Sequence, residues 1–374
     1  MKQEQAQIDW TDFLGRPPMK IDLALAESVV RDRSVLITGA GGSIGSGLAK
    51  AVLAGRPRAL VMLELSEGAL YESYRELCSL SRDGAVEAVP AIGDIADRKT
   101  LGHLFGQHRP ELIFHAAAYK HVPLMEQNPF SAVANNAIGT LTLVGASLDA
   151  GVHQLIAVST DKAVNPRSIM GASKRIAEQI VLSHGASDTR MNVVRLGNVL
   201  GSAGSVSPIF QEQAENGLTL TVTHADAERY FVTPAEAEAA ILRAAAAPAW
   251  GRVLIPDCGD PFHVVDLARY IDDHCRPRNS QKSQIEFIGM RPGDKMREEL
   301  VSEEEVVESE LPDGIRVVVS PAPTPEGMEI AVQRLREAIG SFDHAGLMAA
   351  VCDLVPGYKP SSLRMCAPTM LEAG

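Results

Sequence analysis

Directly after the β-rich run Ser34-Val35-Leu36-Ile37-Thr38 comes Gly39-Ala40-Gly41-Gly42-Ser43-Ile44-Gly45, and this junction restricts the fold more than any other stretch. A short apolar strand, a glycine turn and a helix running to about Ala54 form the first unit of a parallel α/β sheet. Gly39 permits the tight turn, Gly42 lets backbone amides approach a pyrophosphate, and Gly45 lets the helix pack closely on the strand. With Ser43 and Ile44, these glycines form a candidate dinucleotide cradle at a helix N-terminus, whose free N–H groups and dipole favour phosphate.

Strand and helix patterns then alternate for roughly 170 residues, which predicts a Rossmann-type, doubly wound parallel sheet of the α/β class. The second strand, Ala59–Leu63, ends at Glu64, 25 residues beyond Gly39. A carboxylate there accepts hydrogen bonds from both ribose hydroxyls and repels a 2′-phosphate, which favours NAD over NADP. Glu67 is the competing carboxylate, and either could instead cap a helix. The third strand, Val86–Ile92, leads to Asp94-Ile95. The fourth, Leu112–His115, leads to Ala116-Ala117, small enough for backbone to lie against the nicotinamide half of the cofactor. Lys120 and His121 stand in the polar loop that follows, and Asn135-Asn136 enters the next helix. After the apolar run Leu155–Val158 come Thr160-Asp161-Lys162, at a strand's carboxyl end, where open α/β sheets hold ligands. Met170 and Lys174 share one face of a helix reaching about Ser183. A further strand, Met191–Leu196, precedes Asn198, and residues 201–208 read as a mobile loop. Helices are expected over Glu236–Ala247 and Phe262–Ile271 and around Glu298-Glu299, with an exposed acidic stretch from 302 to 312. The expected organisation is an arm (1–32) packed on the body or on a neighbouring subunit, and a sheet domain (33–200, with a return segment at about 236–257). A smaller, interleaved substrate-binding region (201–235 and 258–356) and a tail (357–374) complete it.

The 374 residues are 45% hydrophobic and 22% charged, with a net charge of −12. That composition supports a large core and argues against nucleic acid or an anionic membrane as a partner held by bulk charge. The five cysteines are scattered without a C-x-x-C pair, and the ten histidines form no ligand-spaced cluster, so reduced thiols and no metal are expected. No apolar run reaches ~18 residues without a charge, and no signal peptide opens the chain, so a soluble, cytoplasmic protein without membrane insertion is expected.

The turn's G-x-x-G-x-x-G spacing is that of the short-chain dehydrogenases/reductases. Six motifs, TGAGGSIG, HAAAYKHVPLMEQNP, STDKAVNPRSIMGASKR, VRLGNVLGSAGSVSPIF, ERYFVTPAEA and MRPGDKMREEL, resemble the polysaccharide-biosynthesis branch of the extended members, which includes UDP-N-acetylglucosamine 4,6-dehydratases. The resemblance runs from about Trp10 to Leu300. FLGRPP and Met170 are similar to the catalytic domain of large, membrane-anchored members, of which this would be a soluble form. It implies bound NAD, a UDP-sugar substrate, a homo-oligomer, and an internal redox cycle. In that cycle hydride leaves C4, water is lost across C5 and C6, and hydride returns to C6, giving a 4-keto-6-deoxy sugar. An Asp–Lys pair can supply a base and an acid, each tuning the other. The residues alone allow either assignment; the resemblance makes Lys162 the base and Asp161 the acid. It also implies Thr160 on the C4 hydroxyl, Lys174 on the nicotinamide ribose, Asp94 near adenine and Arg291 as diphosphate clamp. Asn198 and Arg229 are further candidates for that pocket, and Glu298 for the uridine ribose. Met170 stands where most of the superfamily has a tyrosine, and it cannot deprotonate a hydroxyl; methionine there is usual in the large-member subgroup. Ala227-Glu228-Arg229 and Asp294 also differ slightly from the family's usual threonine and glutamate. A UDP-sugar 4-epimerase and a non-catalytic nucleotide-sugar or NAD binder are the rival readings.

Overall fold

The computed structural model describes residues 8–80, 86–185, 187–277 and 280–361. Its centre is a nine-stranded sheet. The strands are β1 (Ser34–Thr38), β2 (Ala59–Glu64), β3 (Glu87–Ile92), β4 (Leu112–His115), β5 (Gln154–Thr160), β6 (Arg190–Leu196), β7 (Val253–Ile255), β8 (Val306–Glu310) and β9 (Arg316–Val319). Their spatial order is β8-β9-β7-β6-β5-β4-β1-β2-β3. The seven strands from β3 to β7 are mutually parallel, whereas β9 runs antiparallel to both β7 and β8. β1 and β4 are buried throughout, and β5 in all but its last residue, because helices cover both sheet faces. The chain winds outward from β1 to β3 and then restarts at β4 on the other side. The reversal between β1 and β4 opens a crevice at their carboxyl ends.

Asn136 sits in a π-helical turn, Ala134–Ile138, which runs straight into the Gly139–Asp149 helix. The Ile169–Ser183 helix is capped by the Ser168 side chain and is almost wholly buried against β5 and β6. Thr233 and Glu236 form a reciprocal capping box that starts the Pro234–Ala245 helix.

A second, smaller apolar cluster joins Leu200, Phe210, Leu220, Val222, Phe231, Val264 and Leu267. It underlies short ribbons, among them Leu220–Val222 with Ile285–Phe287 and Glu228–Arg229 with Phe262–His263. The arm packs here: Phe13 meets the rings of Phe231, Phe262 and Tyr270, and Arg16 pairs with Glu236.

Several elements differ from expectation. Phe262-His263 is a strand, because it pairs with Arg229 and Glu228, and the helix starts only at Val264 and runs to Cys275. Residues around Glu298 form no helix; Arg297 bridges Glu228 instead, holding the segment extended. The 201–208 stretch ends in a helix from Val206, leaving a short turn in which Gly201 and Gly204 take positive φ. In the acidic stretch, β8 is exposed but Glu305 is buried. Two C-terminal helices, Pro325–Gly340 and His344–Leu354, pack on each other and on the Ile169–Ser183 helix. Cys366 lies outside the described residues.

Candidate active site

The glycine turn is built for close approach. Gly39 has φ +70°, and a Cβ there would lie 2.6 Å from Ala117 backbone atoms. One on Gly45 would lie 2.1 Å from the Gly39 carbonyl, so helix and turn pack with no room for a side chain. Gly42 caps the Ser43–Ala54 helix without a side-chain hydrogen bond, which leaves the amides of that first turn free of a protein cap. Glu64 ends β2 and accepts from the Gly41 amide at 3.0 Å, and from Leu65 and Ser66. The competing Glu67 is exposed and opens the next helix. Asp94 accepts from Ala96 at 2.8 Å, Ile95 is buried, and Ala116 and Ala117 line the end of β4 beside Gly39. A carboxylate at the β2 end, a helix N-terminus and small residues on one sheet edge fit the adenosine-ribose, pyrophosphate and nicotinamide parts of a dinucleotide.

Thr160 closes β5, and one 3₁₀ turn, Asp161–Ala163, directs Asp161 inward until no part of it is exposed. Asp161 Oδ1 accepts from the Thr160 hydroxyl at 2.9 Å and from Lys162 Nζ at 2.8 Å. Lys162 Nζ also donates to Asn198 Oδ1 at 2.7 Å. Burial alone would push the Lys162 ammonium down, but the Asp161 and Glu298 carboxylates outweigh it and hold it above the ordinary lysine value. One helix away, Lys174 Nζ donates to the Val158 carbonyl at 2.8 Å, and burial pushes it down to about 8. Met170 is buried one turn earlier. His115 bridges the Thr38 and Thr140 hydroxyls at 2.8 and 2.9 Å, and burial, with Lys174 nearby, keeps it neutral at about 3.

Of the expected substrate-side residues, Asn198, Arg229 and Glu298 gather at Lys162. Arg229 is buried, donates to the Glu228 carbonyl at 2.7 Å and stands 3.8 Å from Glu298. Glu298 lies 3.7 Å from Lys162, inside the Asp161–Lys162 cluster. Arg291 stands apart from these contacts, its Nε tied to Asp294 at 2.9 Å in the Arg-Pro-Gly-Asp turn. Lys120 and His121 stand in a surface loop where partial desolvation lowers both, helped at His121 by the neighbouring Lys120 charge. A Cβ on Gly204 would lie 2.4 Å from the His121 ring, while Ala203 donates to Ser43 at 3.0 Å, so the 201–205 turn links the cradle to that loop. Sequence reading missed Lys295, which lies 3.6 Å from Glu298, and Asn136, whose side chain ties the Tyr119 backbone to Ser173. Asn136 was visible in its Asn-Asn pair, and Lys295 stood inside the MRPGDKMREEL motif without being singled out from it.

Residues 35–319 match the family described as Polysaccharide biosynthesis protein. The chain belongs to that family. It is 40% identical over 302 residues to capsular polysaccharide biosynthesis protein CapD of Staphylococcus aureus, a match covering 80% of this chain and 50% of the relative. The chain thus spans about half the length of that capsular relative. It is 30% identical to a UDP-glucose 4-epimerase of Rickettsia rickettsii, covering 75% of this chain and 80% of that one. With a UDP-N-acetylglucosamine 4,6-dehydratase (inverting) of Campylobacter jejuni it shares 29% identity, over 73% of this chain and 78% of that one. Among solved structures, Pen from Bacillus thuringiensis superposes with a TM-score of 0.70 at 28% identity, covering 82% of this chain and 98% of Pen. The family member described here therefore has the extended short-chain dehydrogenase fold. Among its described residues, no helix is long and apolar enough to cross a membrane.

Proposed function

We propose that this chain is an NAD-dependent 4,6-dehydratase acting on UDP-N-acetylglucosamine. One observation carries the reading: an amine and a carboxylate, Lys162 and Asp161, are in contact at 2.8 Å at the end of β5, on the sheet edge that carries the glycine cradle. Water loss across C5 and C6 needs a base and an acid on neighbouring carbons, and this pair supplies both. NAD, held by Gly39, Gly42, Ser43, Gly45 and Glu64, would supply a hydride acceptor that becomes the donor later in the cycle. Thr160 Oγ1 orients the C4 hydroxyl and would relay its proton along the Thr160–Asp161 hydrogen bond to the Asp161 carboxylate as C4 is oxidised. Lys162 Nζ, as the neutral amine, takes the C5 proton, and the protonated Asp161 delivers its proton to the departing C6 hydroxyl. Met170 packs and moves no proton.

The dehydratase and epimerase relatives support the nucleotide-sugar class, and one experiment separates them. Incubation with UDP-N-acetylglucosamine in heavy water, followed by NMR, is expected to give a 4-keto-6-deoxy product with deuterium at C5. Substrate deuterated at C4 should carry that label to C6. A product keeping its C6 hydroxyl, with only C4 inverted, would make the protein an epimerase. Denaturing the purified protein should release NAD; NADP as the main species would overturn the role given to Glu64.

A further inference from the structure

Lys162 is held from three chain segments at once. Asp161 Oδ1 at 2.8 Å is its neighbour, Asn198 Oδ1 at 2.7 Å follows β6, and Glu298 Oε1 at 3.7 Å comes from the extended segment after the Arg-Pro-Gly-Asp turn. Glu298 is buried, and its Oε2 has no hydrogen-bond partner among the described residues. Two further cations face it: Lys295 Nζ at 3.6 Å from Oε2 and Arg229 Nε at 3.8 Å from Oε1. Lys295 is itself anchored on the Val164 carbonyl at 2.6 Å, just past the Thr-Asp-Lys turn. Arg297, pairing with Glu228 at 3.0 Å, holds the segment against the body. Three cations offset the burial of this carboxylate, but its unsatisfied oxygen still costs stability, which points to a role beyond holding the fold.

We propose that Glu298 is a positioning residue: opposite Asp161, it fixes Lys162 Nζ in place and sets how firmly Lys162 keeps its proton. The inference rests on the dehydratase reading and goes beyond it, because it takes Glu298 off the uridine ribose. Met170 has no proton to exchange. With no tyrosine on that helix face, the protonation state of the cluster is governed by what surrounds Lys162. Those groups are Asp161, Glu298, Arg229, Lys295 and the neutral Asn198, with buried Cys258 beside Asp161. Arg229 and Lys295 oppose the two carboxylates, so removing either sign should move Lys162 in opposite directions.

The test reads Lys162 directly. Competitive acetylation of the NAD-loaded, substrate-free protein across pH, followed by mass spectrometry of the Lys162 peptide, gives its titration midpoint. Glu298→Gln should lower that midpoint by about one pH unit or more, and Lys295→Met should raise it. In turnover, Glu298→Gln should shift the alkaline rise of kcat to lower pH and cut its plateau about tenfold or more, with KM within about threefold. Midpoints unmoved in both variants would overturn the proposal. So would a raised KM with an unmoved midpoint, which would make Glu298 a substrate contact. Should Glu298→Gln fail to fold, Lys295→Met still decides. Wild-type protein inactive on UDP-sugars would sink the dehydratase reading while the acetylation midpoints still judged the role of Glu298.

Discussion

At the residue scale, the proposed reaction divides labour between Met170, which packs, and Asp161 and Lys162, which move protons. A thioether has no proton to give and accepts only weakly, so in the proposed reaction acid–base work falls to Asp161 and Lys162. Met170 is buried in the main core, and leucine matches it in volume and polarity. Met170→Leu is therefore expected to keep kcat within about tenfold. Asp161→Asn and Lys162→Ala should each lose at least ~10²-fold, about 3 kcal/mol of barrier, while NAD stays bound. Steady-state kinetics with the cofactor content of each variant checks this; Met170→Leu as inactive as Lys162→Ala, yet folded and NAD-loaded, would refute it. Asp161 and Lys162 were legible because they follow a strand end, and Met170 because it opens the next helix within the same motif. Glu298 was legible as a candidate for the uridine ribose but not in the positioning role proposed for it, since its partner Lys162 is far away in sequence and no local pattern reports that contact.

At the element scale, the Ile169–Ser183 helix is locked to β6 and to the turn before β8 by buried charge. Glu178 accepts from Arg195 Nη2 at 2.7 Å, and Glu305 accepts from Arg195 at 2.9 Å and from Arg175 at 2.9 Å. Burial would raise the Glu305 carboxyl, but its hydrogen bond and charge contact with Arg195, helped by Arg175, bring it down to about 2. A lowered folded value means stability that is full above the ordinary glutamate range and lost as pH falls toward about 2. Acid titration followed by circular dichroism should show that loss between roughly pH 4.5 and 2 in the wild type. Glu305→Gln should cost about 3–5 kcal/mol in urea melts at neutral pH, because it leaves Arg195 buried with less compensation, and it should flatten the acid limb. A neutral-pH loss under 1 kcal/mol would show that Glu178 alone satisfies Arg195. Glu305 was illegible for a plain reason: in sequence it sits in an acidic run that reads as a solvated face. The two C-terminal helices, by contrast, carried visible signals in Thr324-Pro325 and Asp343, which cap their first turns.

At the scale of the whole molecule, two cores must hold a fixed relation, since the cradle lies on the sheet while Arg229 belongs to the smaller cluster's ribbons. The arm is one of the elements that ties them. Phe13 lies 5.0 Å from the Phe262 ring, whose residue pairs in register with Arg229, and Arg16 reaches Glu236 at the start of the Pro234–Ala245 helix. That helix packs on the Ser43–Ala54 helix of the cradle. The glycine cradle and the doubly wound parallel sheet were readable because they follow from local pattern and handed connections, whereas the Phe262 strand depends on a partner 33 residues away (262 − 229). Phe13→Ala removes the ring that fills this junction and is expected to cost about 2 kcal/mol, less than a fully buried phenylalanine because Phe13 is half-buried. Its kinetic signature should be selective. KM for the UDP-sugar should rise severalfold, because the Arg229 ribbon loosens, while NAD stays bound, because Phe13 packs on the smaller apolar cluster. Urea melts and NAD content measured on the same preparation decide it: loss of NAD in step with stability would mean the arm supports the sheet domain as a whole, not the substrate side.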